Sequence, residues 1–270
     1  MLKKIIHSYR VYFVFLLSGI AITVHAEILE IDLAYVGDEN HHAYLGAKQG
    51  LDEANLQGQF LGQKYTLATI APQDSLNIDY ANYLAIVTAV DRDTFLKISD
   101  RLPGMPVFNL TIEDDDLRTM CLPNALHIIP SQRMRADAVA QWKKKNTDSQ
   151  AQAQAWHPDF EKYAGRDLNK RFVKAFQTKM DDHAWAGWAA VKMTSDTVAR
   201  ENITEPEKLL TYLKTNLLFD GQKGIEMNFR PTGELRQPLI LVEGGKIVGE
   251  APVRGVAESV DSMGISDCAK

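Results

Sequence analysis

The order of apolar runs predicts an α/β fold: a Rossmann-like parallel sheet lobe, then a mostly helical second part that ends in a β-hairpin. Three observations carry this. From Ile28 to Trp142, short strand-like runs alternate with helix-like segments, the pattern of parallel strands joined by crossover helices. Tyr83–Thr88 (YLAIVT) is continuous rather than alternating, as expected of a strand covered on both faces. Near the end, Gln237–Glu243 and Lys246–Glu250 flank Gly244-Gly245, a two-residue hairpin signal.

Taken in order, Ile28–Val36 (ILEIDLAYV) alternates in part and ends at Gly37, so it is the first strand. His41–Asn55 has helical spacing, and Gly58 is its expected stop. Lys64–Ile70 is the second strand, and Asp91–Asp100 a helix with Asp91 placed to cap it. Pro106–Leu110 and Leu126–Ile129 are further strands. Pro130–Trp142 is a helix that Ser131 can cap. The polar run 143–150 and the simple stretch 151–155 mark a boundary, so residues 27–145 form the ligand-binding lobe and 146–270 the second part. There, Arg166–Met180, Asp181–Arg200 and Thr204–Leu217 are helices, the last opened by Thr204-Glu205-Pro206-Glu207. Gly224–Arg230 is an expected strand.

The first residues predict export. A short positive start, an apolar run Val11–Val24 and Val24-His25-Ala26 before Glu27 make a signal peptide over residues 1–26. The run is short for a membrane span, so no stable membrane insertion is expected; an uncleaved anchor is the other reading. Without that segment the chain holds 27 basic and 35 acidic residues, a charge of −8. Such a surface argues against nucleic acid and anionic membranes as partners. Cys121 and Cys268, the two cysteines, are expected to form one disulfide in an oxidising compartment; two buried thiols are the alternative. No GxSxG, HExxH, P-loop or CxxC motif occurs, so the reading is a non-enzyme.

Glu113-Asp114-Asp115-Asp116 follows a strand at the carboxyl edge of the expected sheet, where ligands of open α/β sheets bind. Four adjacent side chains point in different directions and no turn glycine is present, so solvated turn and cap acids are favoured over a metal site. Arg118 is placed to pair with Asp114 or Asp115, or to face an anionic ligand. Asp38-Glu39 with His41-His42 combines carboxylate and imidazole; on a helix, adjacent histidines diverge and at most one points into a cleft. A helix start with acids in its first turn is the other reading. Trp185 and Trp188 share a helical face and read as core; Trp156 is either boundary packing or a stacking face.

The combined pattern resembles type I periplasmic solute-binding proteins, the branched-chain amino-acid-binding relatives that feed ABC importers. The resemblance rests on the first strand with Gly37, YLAIVT, PVFNL and HIIPSQRMRADAVA, and on Phe219–Gly224, Asn228-Phe229 and Gly244–Lys246 near the end. Asp115–Arg118, Cys121, His127, Pro130-Ser131, Ala155–Pro158, Leu168–Phe172 and Trp185–Lys192 resemble the branch found with pyrroloquinoline-quinone-dependent alcohol oxidation. Relatives have a second α/β lobe where this chain runs from Trp142 to Trp156 in 14 residues, so a reduced second lobe is expected. The loops Thr88-Ala89-Val90 and Asn109-Leu110-Thr111 lack the hydroxyl-rich character the resemblance requires for an amino acid.

The resemblance therefore implies a periplasmic solute-binding protein for a small anionic aromatic ligand, pyrroloquinoline quinone (PQQ) first among them, linked to an ABC permease or to periplasmic alcohol oxidation. PQQ enters as bound ligand, with no catalytic cofactor expected. The candidate ligand-binding residues are Asp38, His42, Thr88, Asn109, Thr111, Arg118, Ser131, Arg133, Trp142 and Trp156. Cationic groups at 118 and 133, the helix start at 131 and the indoles suit a flat tricarboxylate. Two other readings stay open: a ligand-free accessory partner of a quinoprotein dehydrogenase, and a metal-binding, for instance lanthanide-binding, periplasmic protein.

Overall fold

The computed structural model describes residues 28–269; the expected signal peptide lies outside them. Five parallel strands, β1 (Leu29–Gly37), β2 (Gln63–Ile70), β3 (Ala85–Ala89), β4 (Val107–Asn109) and β5 (Ala125–His127), form one sheet in the order β2-β1-β3-β4-β5. The register aligns Leu33 with Ala85, Ile86 with Val107, and Val107 with Ala125. Alternate residues of β1 enter different cores: Leu33 and Tyr35 face one apolar cluster, Ala34 and Val36 the other. Both faces are covered, which is why these strands read as continuous apolar runs.

One face carries α1 (His42–Leu61), and on the other α2 (Arg92–Arg101) packs through Phe95 and Ile98. The helix α1 runs straight through Gly58, the expected stop, and ends at Gly62, whose φ of 67° is left-handed. Gly58 serves close approach instead: a Cβ there would lie 2.3 Å from the Gln63 carbonyl oxygen. Asp91 caps α2 by accepting from the Thr94 amide, as expected. A short helix α3 (Asp115–Thr119) follows β4, and α4 (Gln132–Lys143) follows β5 with Ser131 as its cap.

Beyond α4 come β6 (Gln152–Gln154), α5 (Gly165–Phe176), α6 (Asp182–Glu201), α7 (Pro206–Thr215), β7 (Leu239–Glu243) and β8 (Lys246–Ala251). The last two strands form the expected hairpin, and β6 joins β7 to make an antiparallel sheet β6-β7-β8. β6 arises in the simple stretch 151–155, too short to give a periodicity. Residues 224–230 are not a strand. Left-handed Gly221 and Gly224 turn the chain there, and single bridges Phe219–Met227 and Phe229–Leu235 replace a ladder. Glu205 rather than Thr204 stands at the cap of α7, with Pro206 in its first turn.

Helix α6 lies against α1, with glycines where the backbones meet: a Cβ on Gly46 would fall 1.7 Å from the Ala184 oxygen, and one on Gly187 2.0 Å from the Ala43 oxygen. This locks the starts of α1 and α6 side by side. The apolar cluster beneath them takes residues from β1, α1 and β5 and also Trp156, Phe172, Trp185, Leu213 and Ile240, so the 145/146 boundary is not a break in the core. A third, smaller cluster joins Met134 and Ala138 of α4 to Leu239 and Leu241 of β7 and to Met263. Alternation in β7 feeds both cores, since Ile240 and Val242 face the large cluster.

Candidate ligand cleft

An open cleft of about 950 Å³ lies where α4, β6 and the start of α6 meet, beside the loop that follows β4. The α4 wall presents Ala136, Val139, Ala140 and Lys143; the opposite side presents Gln152–Gln154, His157 and Pro158. Asp181, Asp182 and His183 close one end, with Glu113 and Arg135 across from them. The cleft is at the carboxyl edge of the parallel sheet, the usual ligand position in such folds.

Arg135 is the hub of the site. Its guanidinium donates to the Ala153 carbonyl at 2.6 Å, to Glu113 at 2.8 Å and to Asp182 at 2.7 Å. The other oxygen of Asp182 accepts from the Trp156 amide. One arginine therefore ties α4, β6, the post-β4 loop and α6 together. Asp181 caps α6 through the Ala184 amide and lies 2.7 Å from His42 Nδ1, linking the two helix starts. His41 caps α1 with its ring nitrogen and stands 5.1 Å, centroid to centroid, from the His183 ring. Burial, then the neighbouring His183, hold His41 below its ordinary pKa. The pairing of Asp181 with His42 spans 139 residues of chain, beyond the reach of any local motif.

Most of the residues expected to hold a ligand are taken up by the fold. Arg118 is fully buried and donates to the carbonyls of Ile112, Asp114 and Ile129; desolvation lowers its pKa to about 10. It does not pair with the Asp114 or Asp115 carboxylate, because it is spent on backbone. Asn109 closes the same loop, accepting from the Thr111 and Ile112 amides and donating to the Ile112 carbonyl. Thr88 donates to the Phe108 carbonyl, and Thr111 leans on the Val90 carbonyl at 3.5 Å. The start of α4 is not an open anion site: Ser131 N donates to Glu234, Gln132 N to the Glu113 carbonyl, Arg133 N to Asp115 and Met134 N to Ser131 Oγ. The Arg133 side chain is exposed and pairs with Asp137. Trp142 donates to Ser149 and packs in the third cluster. Asp38 folds back on Asn40. Trp156 borders the cleft, but its ring is buried, stacked on Trp185 and bonded to Asn169.

The four adjacent acids serve three ends. Glu113 meets Arg135, Asp114 and Asp116 meet Arg92, and Asp115 caps the Arg133 amide. Among the described residues, no three His, Cys, Asp or Glu side chains converge as metal ligands. Cys121, at the end of this loop, is bonded to Cys268, and Ala269 N donates to the Thr119 carbonyl, so the tail is clipped beside the sheet edge as expected. Sequence reasoning did not single out Arg135, Asp181, Asp182 or His183 for the site. The only signal was the helix-start pattern at Asp181-Asp182.

The same arrangement of sheet, crossover helices and small antiparallel sheet occurs in solved structures. A branched-chain amino acid ABC transporter periplasmic ligand-binding protein from Burkholderia xenovorans aligns with a TM-score of 0.69 at 13% identity, covering 82% of this chain and 95% of that one. The chain has the type I periplasmic binding protein fold. An ABC transporter substrate-binding protein from Desulfitobacterium hafniense in complex with Leu gives 0.68 at 12% identity, covering 81% and 99%. A solute-binding protein from R. palustris in complex with benzoate gives 0.62 at 12%, covering 81% and 95%. No family model and no curated protein matches the sequence. In this fold the cleft places its reachable polar groups at Asp181, His183 and Lys143, while the buried polar groups of Asn109–Ser131 hold the edge in place.

Proposed function

We propose that the chain is a periplasmic solute-binding protein that holds a small molecule in the α4–β6–α6 cleft and passes it to an ABC-type permease. The observation that supports this most is the cleft itself: a roomy, ligand-sized opening at the carboxyl edge of a parallel sheet, with apolar walls and a few convergent charges. In this reading, residues 146–270 are the reduced second lobe, and Arg135 of α4 is the clasp that holds its β6 and α6 to the post-β4 loop of the larger sheet.

The charges favour a ligand with an ammonium or several hydrogen-bond donors at one end. Glu113, Asp181 and Asp182 face Arg135 and Lys143, and Arg135 is already shared by two of these acids. A hydrocarbon or ring portion suits Val139, Ala140 and Pro158. PQQ is the sharper reading and rests on the resemblance to the alcohol-oxidation branch. Of the groups named for it, Arg118, Ser131 and Trp142 are engaged elsewhere, which weighs against three carboxylates in this cleft.

The test is a titration by calorimetry with amino acids, diamines, aromatic carboxylates and PQQ, together with the absorption spectrum and mass of anything that co-purifies. Ala140→Trp fills the cleft from an exposed position and leaves the cores untouched. One ligand class is expected to bind in the micromolar range and to lose at least tenfold in this variant at unchanged melting temperature. Tight PQQ binding that survives Ala140→Trp would place the site elsewhere. No binding by any class at high micromolar concentration favours the accessory-protein reading.

A further inference from the structure

The far end of α1 carries an apolar surface that the cleft does not use. Phe60 is 85% exposed and Leu56, one turn before it on the same face, 62%. Leu61 is 48% exposed at the helix end, and Ile28 and Leu29 are 58% and 37% exposed. The two groups adjoin: Leu29 N donates to the Gly62 carbonyl, and Leu29 pairs in register with Gln63. A solvated helix end ordinarily carries charge. Here Leu56–Gln63 (LQGQFLGQ) has none, in a chain that is 24% charged. A cluster of exposed large apolar side chains marks an interaction site.

We propose that this tip rests on the surface of a lipid bilayer, with Leu56, Phe60 and Leu61 entering the headgroup boundary. The position of the chain selects this occupant. The apolar run Val11–Val24 ends four residues before Ile28, a reach of at most about 14 Å extended. Whenever that run occupies a membrane, Ile28, at the edge of the tip, is kept within that reach of its surface. The rim, Gln57 and Gln59 with the mutually neutralised Lys64–Glu30 pair, suits zwitterionic headgroups, and the surrounding acidic chain disfavours anionic ones. The cleft is at the opposite, carboxyl edge of the sheet, since Gly62 leads into β2 and His42 follows β1. A molecule resting on this tip therefore turns its cleft away from the bilayer, and must leave the tip contact to present the cleft to a permease. The contact is peripheral: among the described residues no helix is long and apolar enough to cross a membrane.

Residues 28–269 hold both sheets and all three apolar clusters, so the chain from residue 27 is the unit to test. It is expected to sediment with phosphatidylcholine vesicles at millimolar lipid. A Leu56→Asp/Phe60→Asp double variant should partition at least tenfold less at the same melting temperature. Phe60→Trp should add a blue-shifted emission that brominated lipid quenches. Absence of binding, or equal binding by the double variant, overturns the proposal. So does a lipid-independent dimer that the double variant abolishes, which would assign the tip to a second copy. Protection of 56–63 from hydrogen exchange in the lipid-free full chain, absent from the chain starting at residue 27, would assign it to the protein's own leading segment.

Discussion

At the start of α4, the amides of Ser131, Gln132, Arg133 and Met134 each have a partner within the protein. At the start of α6, across the same cleft, Asp181 and His42 are half-exposed and His183 stands beside His41 at the rim. Both are helix N-termini rich in charge, and the first is the one whose sequence, Pro130-Ser131 after a strand, suggests an anion site. The difference is burial. Glu234 is fully buried and spends its two oxygens on Ser131 N and Ile265 N, sealing the α4 start from behind. At the α6 start Asp182 is likewise spent, on Arg135 and the Trp156 amide, but Asp181 stays half-exposed and reachable. A helix terminus is available to a ligand only where the fold leaves it unpaired.

The sealed side should answer to stability measurements. Replacing Cys121 and Cys268 by serine has the largest expected effect. The bond closes a span of 147 residues, for which the chain-entropy model gives at most about 5 kcal/mol. Urea unfolding of the double variant measures it, and a loss under about 1 kcal/mol would mean the tail is held by other contacts. Arg118→Ala comes next. It strips three carbonyls of their donor in a dry site, and about 3–5 kcal/mol is expected from breaking a buried charged network. Ligand affinity should change only through folding. A direct, stability-independent loss of affinity would move Arg118 back into the site.

Acid should expose the same side. His127 is fully buried, accepts from the Asn109 amide at Nδ1, and is held well below its ordinary pKa by burial and then by Arg118. The unfolded chain takes up a proton near pH 6.5 that the folded chain refuses. This lowered pKa contributes stability that is complete above pH 6.5 and is lost as pH falls below it, with a slope approaching about 1.4 kcal/mol per pH unit. His127→Gln should flatten that slope in denaturant midpoints measured from pH 7 to 5.

The open side should show the opposite balance. His42→Ala breaks a half-exposed contact with Asp181 and should cost within about 1 kcal/mol. Its effect is expected in ligand affinity instead, as a change of threefold or more with an unchanged melting temperature. If stability falls with affinity untouched, the two helix starts are scaffold like the α4 start.

Much of this protein was legible in its sequence, for identifiable reasons. The strands are dry on both faces, so YLAIVT and ILEIDLAYV declare themselves by composition. Asp91 and Ser131 cap helices through bonds to the third residue on, a local geometry that sequence spacing carries. The hairpin turns on Gly244-Gly245, both left-handed. Where the physics is non-local, the reading failed. Gly58 resembles a helix stop, but its smallness is used against the Gln63 backbone. Arg118 reads as a cation for a nearby carboxylate or an anionic ligand, and Lys223 carries no signal of its own. Both are buried, the latter over the Trp185 ring at 3.9 Å with its ammonium on Gln237 and the Pro238 carbonyl.

The sequence by itself determined the parallel sheet, the crossover helices, the hairpin and the likelihood that two cysteines meet, because each depends on periodicity, turn chemistry or simple count. The tertiary structure alone decided which polar residues are free. That choice depends on whether a carbonyl or carboxylate from a distant segment arrives within hydrogen-bond distance, as Ile129 does for Arg118 and Glu234 does for Ser131. A buried polar group must be paired, so the fold consumed the residues nearest the sheet edge, Arg135 and Asp182 included, and left the half-exposed Asp181 and His42 and the rim residue His183 beside the cleft.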